Sequence, residues 1–350
     1  MRHITKLFLF FLLGLGALIS PVAAFTGEVA EGGPVIFSGS SNSQLAKAVA
    51  DHLGISLGEA DIGKYNDGEI NIQIKQNVRN RDVFVLQSTC STDTDSVNDN
   101  VMELYLLIRT LKRASAKSVN VVMPYFGYAR QDRKTTPRVP ISASDVAMLL
   151  ENGGADRVLA VDLHCGQIQG FFHHVPVDNL YASAALVPYF SKVDLKNTVV
   201  VSPDAGGVER AKKFRELLSR QGVEGEIAMI IKQRSGAGSV KEMNLVGDVN
   251  GADAIIVDDM CDTAGTLVKA AQLLKDQGAR RVFAAITHPV FSGPALERIE
   301  KSIITELVTT DTIPLRGKVP SNITQISVAP LLAEAIIRIH DGESVSNLFL

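Results

Sequence analysis

An apolar run in the second half of the chain is followed by a short acidic and polar loop, and then by an amphipathic helical stretch. After Val257 the chain reads Asp258, Asp259, Met260, Cys261, Asp262, Thr263, Ala264, Gly265 and Thr266. A helix N-terminus favours an anion because its backbone N–H groups are unpaired and the helix dipole is positive there. Gly265 lets the backbone approach a phosphate, and Thr263 and Thr266 add hydroxyl donors. Since Asp258 and Asp259 suit sugar hydroxyls or hydrated magnesium, the segment predicts a site for a phosphorylated sugar.

This acidic segment has a simpler alternative, in which it is the first turn of a helix and Asp262 serves only as the N-cap. Two further acids at the end of the preceding strand make that alternative less favourable. Cys261 lies between acidic residues, so we expect its thiolate to be disfavoured and do not assign it as a nucleophile.

Aromatic rings and guanidinium groups occur together in a second segment, which follows another strand-like run. It reads Tyr125, Phe126, Gly127, Tyr128, Ala129, Arg130, Gln131, Asp132 and Arg133. Aromatic faces beside arginines suit purine stacking and triphosphate binding. Taken by itself, the segment is equally consistent with an exposed aromatic loop whose arginines are solvated.

Two cations precede a run of small residues in a third segment, which reads Lys232, Gln233, Arg234, Ser235, Gly236, Ala237, Gly238 and Ser239. A flexible run that carries cations is typical of a lid that closes over phosphates. A solvated basic hairpin is the alternative.

The composition indicates a folded protein with a core. The chain has 350 residues, of which 46% are hydrophobic and 21% charged, a length that fits two domains. The net charge of −3 and the lack of a long basic run argue against nucleic-acid binding by counterion release. The cysteines Cys90, Cys165 and Cys261 are too widely spaced for a zinc site or a disulfide framework, so we expect ordinary thiols.

From Pro34 onward, short β-branched runs alternate with amphipathic helical stretches, which predicts an α/β fold with parallel sheets flanked by helices. The strand candidates are Val83 to Gln87, Val119 to Met123, Val158 to Val161, Thr198 to Val201, Ala254 to Val257 and Val282 to Thr287. Helices are expected over Asn42 to Leu53 and Val208 to Leu218.

A strand–loop–helix–strand unit occurs twice, at Val83 to Met123 and at Ile255 to Thr287. This weak internal repeat predicts two similar domains, with the chemistry concentrated in the second copy. We place the boundary near Tyr181 to Pro188, which gives domains of residues 35–182 and 183–350.

Residues 1–24 have the pattern of a signal peptide. Arg2, His3 and Lys6 precede an apolar run from Leu7 to Ile19, and Val22-x-Ala24 supplies small residues for cleavage. The apolar run is shorter than the roughly 18 residues of a spanning helix, so we expect no stable membrane span after processing. An apolar helix packed on the domain is the alternative.

The order of these segments resembles that of the ribose-phosphate pyrophosphokinase family, whose members have a type I phosphoribosyltransferase fold. The likeness covers roughly Val35 to Phe349. It rests on the sugar loop and the aromatic segment described above, together with Tyr65 to Glu69, Asp162 to Phe172, Ser202 to Gly207, Thr287 to Pro294 and Leu332 to Phe349. The resemblance implies pyrophosphoryl transfer from ATP to ribose 5-phosphate with Mg²⁺ as cofactor, in a homo-oligomer of dimers assembled into a hexamer.

The resemblance also assigns roles to residues. The ATP contacts are Tyr65, Asp67, Gly68, Glu69, Arg130 and Gln131; the ribose 5-phosphate contacts are Asp258, Asp259, Asp262, Thr263, Ala264, Gly265 and Thr266. Asp204, Ala205, Gly206 and Gly207 form the pyrophosphate loop, since amides before a helix can hold an anion. His164 and Asp204 are the magnesium ligands, and Lys232 and Arg234 are the catalytic cations.

Two other functions stay open at this stage. A non-catalytic subunit of the same family would not need Lys232 and Arg234, and a phosphoribosyltransferase that consumes the activated sugar would not need an adenine site. Phosphate is a possible activator.

The end of the signal-like segment resembles the cleavage motif of proteins sent through the secretory route into the complex plastids of algae; the matching residues are Ala23, Ala24 and Phe25. Glu28 and Glu31 are unusual for a transit peptide. A cytoplasmic location is the alternative.

Overall fold

The structure is a computed structural model that describes residues 32–236 and 239–349; the side chains of residues 232–242 lie outside this description. The predicted segment 1–24 therefore lies outside the described residues. No helix in the described part of the chain is long and apolar enough to cross a membrane.

The first half of the chain builds a five-stranded parallel sheet. Its elements are β1 Val35–Ser38, α1 Ser43–His52, β2 Ala60–Lys64, β3 Ile70–Ile74, β4 Asp82–Leu86, α2 Val97–Arg113, β5 Ser118–Met123, α3 Ser142–Gly153, β6 Arg157–Val161 and β7 Val177–Leu180. The strand order is β1-β4-β5-β6-β7, and all neighbours are parallel. β2 and β3 form a separate antiparallel hairpin.

The second half builds a seven-stranded sheet. Its elements are α4 Ser183–Phe190, β8 Thr198–Ser202, α5 Val208–Arg220, β9 Gly225–Gly236, β10 Ser239–Val246, β11 Asp253–Cys261, α6 Gly265–Asp276, β12 Arg281–Pro289, α7 Ala295–Glu300, β13 Glu306–Thr310, β14 Ile323–Ile326 and α8 Ala329–Asp341. The order is β10-β9-β8-β11-β12-β13-β14, and only the β9–β10 pair is antiparallel. This architecture confirms the predicted α/β class with two mostly parallel sheets.

The predicted internal repeat is present as two strand–helix–strand units, β4–α2–β5 in the first sheet and β11–α6–β12 in the second, each with parallel strands. The two halves also share a core, because α8 packs against α1. Leu45 and Val49 of α1 and Leu332 and Ile336 of α8 are all buried in one apolar cluster, and each such side chain contributes about 1.5–3 kcal/mol by leaving water. The boundary at residues 182/183 stays a prediction.

Candidate active site

Polar residues from three strands meet at the carboxyl edge of the sheets, which is where parallel α/β folds bind ligands. β6 is followed by Asp162 to His164, β8 by the loop of Asp204 to Gly207, and β11 carries Asp258 and Asp259 near its end. A cavity of about 410 Å³ opens here, lined from both halves by residues that include His164, Gly206, Arg210 and Thr287. This edge of the sheets thus brings together polar side chains that are 95 residues apart in the sequence, such as His164 and Asp259.

The loop after β8 is a tight turn held by its own side chains. Asp204 Oδ1 accepts hydrogen bonds from the amides of Gly206 at 3.0 Å and Gly207 at 3.2 Å, and Ser202 Oγ donates to the Asp204 carbonyl at 2.6 Å. A methyl group on Gly207 would lie 2.9 Å from Ser202 Oγ, so glycine is needed there. The amides of Gly206 and Gly207 thus donate to the carboxylate of Asp204. The assignment of Asp204, Ala205, Gly206 and Gly207 as the pyrophosphate loop stays a prediction.

Asp259 joins the two halves of the chain. Its Oδ2 lies 2.7 Å from His164 Nδ1, and its Oδ1 lies 3.3 Å from Arg210 Nη1. Its side chain is only 4% exposed, so it cannot reach a ligand as freely as sequence reasoning implied for a sugar contact. β11 also runs on through Asp258 and Asp259 to Cys261, so these acids belong to the strand and the loop begins only at Asp262.

The pKa values of the adjacent Asp258 and Asp259 carboxyls shift in opposite directions. Burial opposes ionisation of Asp259, but the hydrogen bond from His164 and the charge of Arg210 outweigh it and lower the pKa of this carboxyl. Burial, together with the adjacent Asp259 charge, raises the pKa of Asp258 to about 8. The hydrogen bond to Asp259 raises the pKa of His164. The pKa values of the two adjacent carboxyl groups are therefore shifted apart, a feature that clusters at functional sites.

The sugar-loop residue Asp262 connects the two predicted substrate sites. Its Oδ2 accepts a hydrogen bond from Arg130 Nη1 at 2.5 Å, and its Oδ1 accepts one from Ser292 Oγ. Asp262 is therefore not the N-cap of α6; that position is taken by Ala264, which has a left-handed backbone with φ of 60°. Thr263, Ala264, Gly265 and Thr266 follow as the turn into α6, as the sequence predicted.

Of the remaining predicted ATP residues, Gln131 is the chain neighbour of Arg130 and the others lie in the β2–β3 hairpin. Tyr65, Asp67, Gly68 and Glu69 form the exposed tip of the β2–β3 hairpin, where Tyr65 N donates to Glu69 O at 2.8 Å and Gly68 has a φ of 96°. Gln131 accepts a hydrogen bond from Ser142 Oγ at 2.6 Å. Within the described residues, no hydrogen bond or ion pair joins the hairpin tip to Arg130 or Gln131.

The predicted catalytic cations lie in a β-hairpin. Lys232 and Arg234 are in β9, where their backbones pair with Met243 and Val240 of β10. Their side chains lie outside the described residues, so their catalytic role and the predicted lid stay predictions.

Sequence reasoning missed Arg210, Ser292 and Arg298. Arg298 donates to the Thr263 carbonyl at 2.9 Å and so supports the sugar loop from α7. Arg210 carried a usable signal, because a cation in the first turn of a helix opposes the helix dipole and needs acidic partners.

The three thiols are free, and burial raises the pKa of Cys261 to about 12, which agrees with its expected inertness.

The surroundings of the predicted magnesium ligands His164 and Asp204 give one observation against a metal site and one in favour of it. No group of three or more His, Cys, Asp or Glu side chains in the described ranges is arranged to hold a metal. His164, however, directs its Nδ1 to a buried carboxylate, the partner that usually orients a metal-bound histidine and leaves Nε2 for the metal. Magnesium retains several waters or phosphate oxygens, so one imidazole and one carboxylate fit it.

The fold and this edge define a protein of the type I phosphoribosyltransferase-like class, with two such domains in tandem. A family model for the N-terminal domain of ribose phosphate pyrophosphokinase matches residues 34–154, and one for the phosphoribosyl synthetase-associated domain matches residues 231–350. The chain belongs to the ribose-phosphate pyrophosphokinase family.

Relatives and a solved structure support this assignment. The ribose-phosphate pyrophosphokinase of Wolinella succinogenes is 51% identical over 90% of this chain and 98% of the relative. That of Bordetella pertussis is also 51% identical, over 90% of this chain and 99% of its own length. The crystal structure of phosphoribosylpyrophosphate synthetase from Mycobacterium smegmatis superposes with a TM-score of 0.81 at 39% identity, covering 88% of this chain and 99% of that one.

Proposed function

We propose that the protein transfers the pyrophosphoryl group of ATP to the 1-hydroxyl of ribose 5-phosphate, giving AMP and 5-phosphoribosyl 1-diphosphate for nucleotide biosynthesis. One observation carries this proposal: Arg130, a predicted ATP contact, lies 2.5 Å from Asp262 of the predicted sugar loop. Two substrate sites that touch are what direct transfer between two substrates requires. The names of the relatives agree with this reaction.

The 1-hydroxyl oxygen attacks the β-phosphorus in line, the bond from that phosphorus to the α–β bridging oxygen breaks, and AMP leaves. Such transfers depend on alignment and charge stabilisation, and positioning two substrates lowers the barrier by about 7–11 kcal/mol. The sugar loop from Asp262 to Thr266 holds the 5-phosphate, and Asp258 orients the sugar hydroxyls. The loop Asp204 to Gly207 takes the pyrophosphoryl group, and Lys232 and Arg234 neutralise its developing charge.

Magnesium, held by His164 and Asp204, would supply the charge neutralisation that phosphoryl transfer needs. Adenine would lie between Arg130, Gln131 and the hairpin tip of Tyr65, Asp67, Gly68 and Glu69. Within the described residues no hydrogen bond or ion pair joins that tip to Arg130, so their place in one nucleotide site stays a proposal; it is compatible with the proposed homo-oligomer. Phosphate as activator and dimers assembled into a hexamer remain part of the proposal.

The test is to mix the full chain with ATP, ribose 5-phosphate, magnesium and phosphate, and to measure AMP and 5-phosphoribosyl 1-diphosphate together. Equal formation of the two products supports the proposal. Pyrophosphate release that depends on an added purine or pyrimidine base would instead favour a phosphoribosyltransferase. No product from a folded chain that binds ATP would favour a non-catalytic subunit.

We also propose that residues 1–24 are a targeting segment for a complex plastid. They precede residue 34, where the match to the family begins. A fluorescent protein fused behind the full chain tests this location, and a fusion that stays in the cytosol would refute it.

A further inference from the structure

Arg210 is a largely enclosed cation to which none of the roles above assigns a task. It is the third residue of α5, directly after the loop of Asp204 to Gly207, and its side chain is 22% exposed. A positive charge in the first turn of a helix is opposed by the helix dipole, and an enclosed charge also loses hydration. Other groups must therefore stabilise the Arg210 side chain in this position.

The groups that hold Arg210 are the two acids of β11. Its Nη1 lies 3.3 Å from Asp259 Oδ1 and 3.6 Å from Asp258 Oδ1. Asp259 uses its other oxygen for His164, at 2.7 Å. A chain of polar contacts thus runs from α5 through the end of β11 to the segment after β6.

Arg210 constrains the positions of two acidic side chains. A carboxylate bonded at both oxygens cannot rotate, so Arg210 and His164 together fix the plane of Asp259. A guanidinium that reaches both acids keeps the separation of Asp258 and Asp259 defined. If Arg210 were lost, Asp258 would lose this contact and Asp259 would be held by His164 alone.

We propose that Arg210 is a positioning residue, which fixes Asp258 for the sugar hydroxyls and, through Asp259, the ring of His164. This inference rests on the proposed function, because it assumes that ribose 5-phosphate binds beside Asp258. The guanidinium need not touch the substrate; it acts through the acids that it contacts.

The test measures binding without turnover. Titration calorimetry with ribose 5-phosphate is done in the presence of magnesium and α,β-methylene-ATP, whose bridging carbon blocks transfer. We expect Arg210→Ala to weaken sugar binding about 10–100-fold, the range seen when a group that orients a ligand-binding side chain is removed. The affinity for α,β-methylene-ATP should fall by a smaller factor. Lys212→Ala is the matched control, because it removes an exposed cation from the same helix, and its sugar affinity should equal that of the wild type.

Chemical rescue separates positioning from a general role in folding. Arg210→Ala leaves a space beside two carboxyl groups, so millimolar guanidinium should restore part of the sugar affinity, whereas the same concentration of sodium should not. Arg210→Lys, which keeps the charge but not the planar fork, should lie between wild type and Arg210→Ala. Sugar affinity within twofold of wild type in Arg210→Ala would overturn the inference. If that variant does not fold, Arg210→Lys decides: a reduced affinity supports the inference, and an unchanged affinity overturns it.

A mutant cycle tests the route of the effect. If Arg210 acts through the two acids, adding Arg210→Ala to the Asp258→Asn and Asp259→Asn double variant should not weaken ribose 5-phosphate binding further. A further loss as large as that of Arg210→Ala alone would overturn the inference. Failure of the proposed function gives a different result, because the wild type itself would then not bind ribose 5-phosphate.

Discussion

Replacing Asp258 with Asn should stabilise the ligand-free protein at alkaline pH. Burial and the neighbouring Asp259 raise the pKa of Asp258 to about 8, whereas an Asp in an unfolded chain has a pKa near 3.9. A group whose pKa is raised on folding stabilises the folded state fully below the unfolded pKa, and this stabilisation is lost as pH rises through the folded value. The wild type should therefore lose stability between about pH 4 and pH 8, and Asp258→Asn should not show this loss.

The size of the effect follows from the same two values. A difference of about 4 pH units corresponds to a ceiling of about 5–6 kcal/mol at pH above 8. The Asp258 side chain is 28% exposed, so solvent screening reduces this ceiling, and the substitution also removes the contact with Arg210. We therefore expect Asp258→Asn to raise the free energy of unfolding by about 1–3 kcal/mol at pH 8.5, and by less than about 1 kcal/mol at pH 5.

The assay is urea unfolding of both proteins at pH 5 and pH 8.5, at equal protein concentration and without magnesium or substrates. Asp262→Asn is the control with the opposite sign. Burial opposes ionisation of Asp262, but bonds from Ser292 and Arg130 outweigh it and lower its pKa, so its contribution is present above the unfolded pKa and is lost at acid pH. Asp262→Asn should thus destabilise the protein at pH 8.5. An equal loss of stability in Asp258→Asn at both pH values would refute the reasoning.

Three other predictions concern the proposed reaction and its loops. Lys232→Ala should lower kcat about 10²–10³-fold with an unchanged melting temperature, as removal of one transition-state donor does; a normal kcat in steady-state assays would rule out its role. Asp258→Ala should weaken binding of ribose 5-phosphate more than binding of ATP in calorimetry, and equal losses would contradict the sugar assignment. Gly207→Ala should lower the melting temperature more than Gly206→Ala, because its methyl group meets Ser202 Oγ at 2.9 Å while that of Gly206 comes no closer than 3.4 Å to another atom; equal melting temperatures would contradict the crowding.

The sequence was sufficient for the features that depend on local patterns. All six strand candidates lie largely within strands, because short β-branched runs suit burial in a two-sided sheet. α1 begins after Asn42, whose side chain accepts from Leu45 N as an N-cap should. Strands that carry polar residues escaped prediction; β2 and β3 form an exposed hairpin whose half-buried alternation gives only a weak signal.

Contacts between segments that are distant along the chain could not be predicted from the sequence. Asp258 and Asp259 are adjacent and chemically equal in the sequence, and nothing there distinguishes their roles. In the structure Asp259 is enclosed against His164, whereas Asp258 keeps more exposure. The difference is set by partners 95 and 49 residues away along the chain.

The Arg130–Asp262 pair shows how the fold turns two binding segments into one site. Arg130 is 52% exposed and Asp262 31% exposed, so the pair contributes little to stability, about 0–1 kcal/mol for an exposed ion pair. Its importance lies in position, because each partner belongs to a different predicted substrate site. If a nucleotide drew Arg130 to its phosphates, it would compete with Asp262, and the Asp262 carboxylate would keep the bond from Ser292. If both predicted sites bind their substrates, binding at one would thus change the charge available at the other, which is a physical basis for coupling between them.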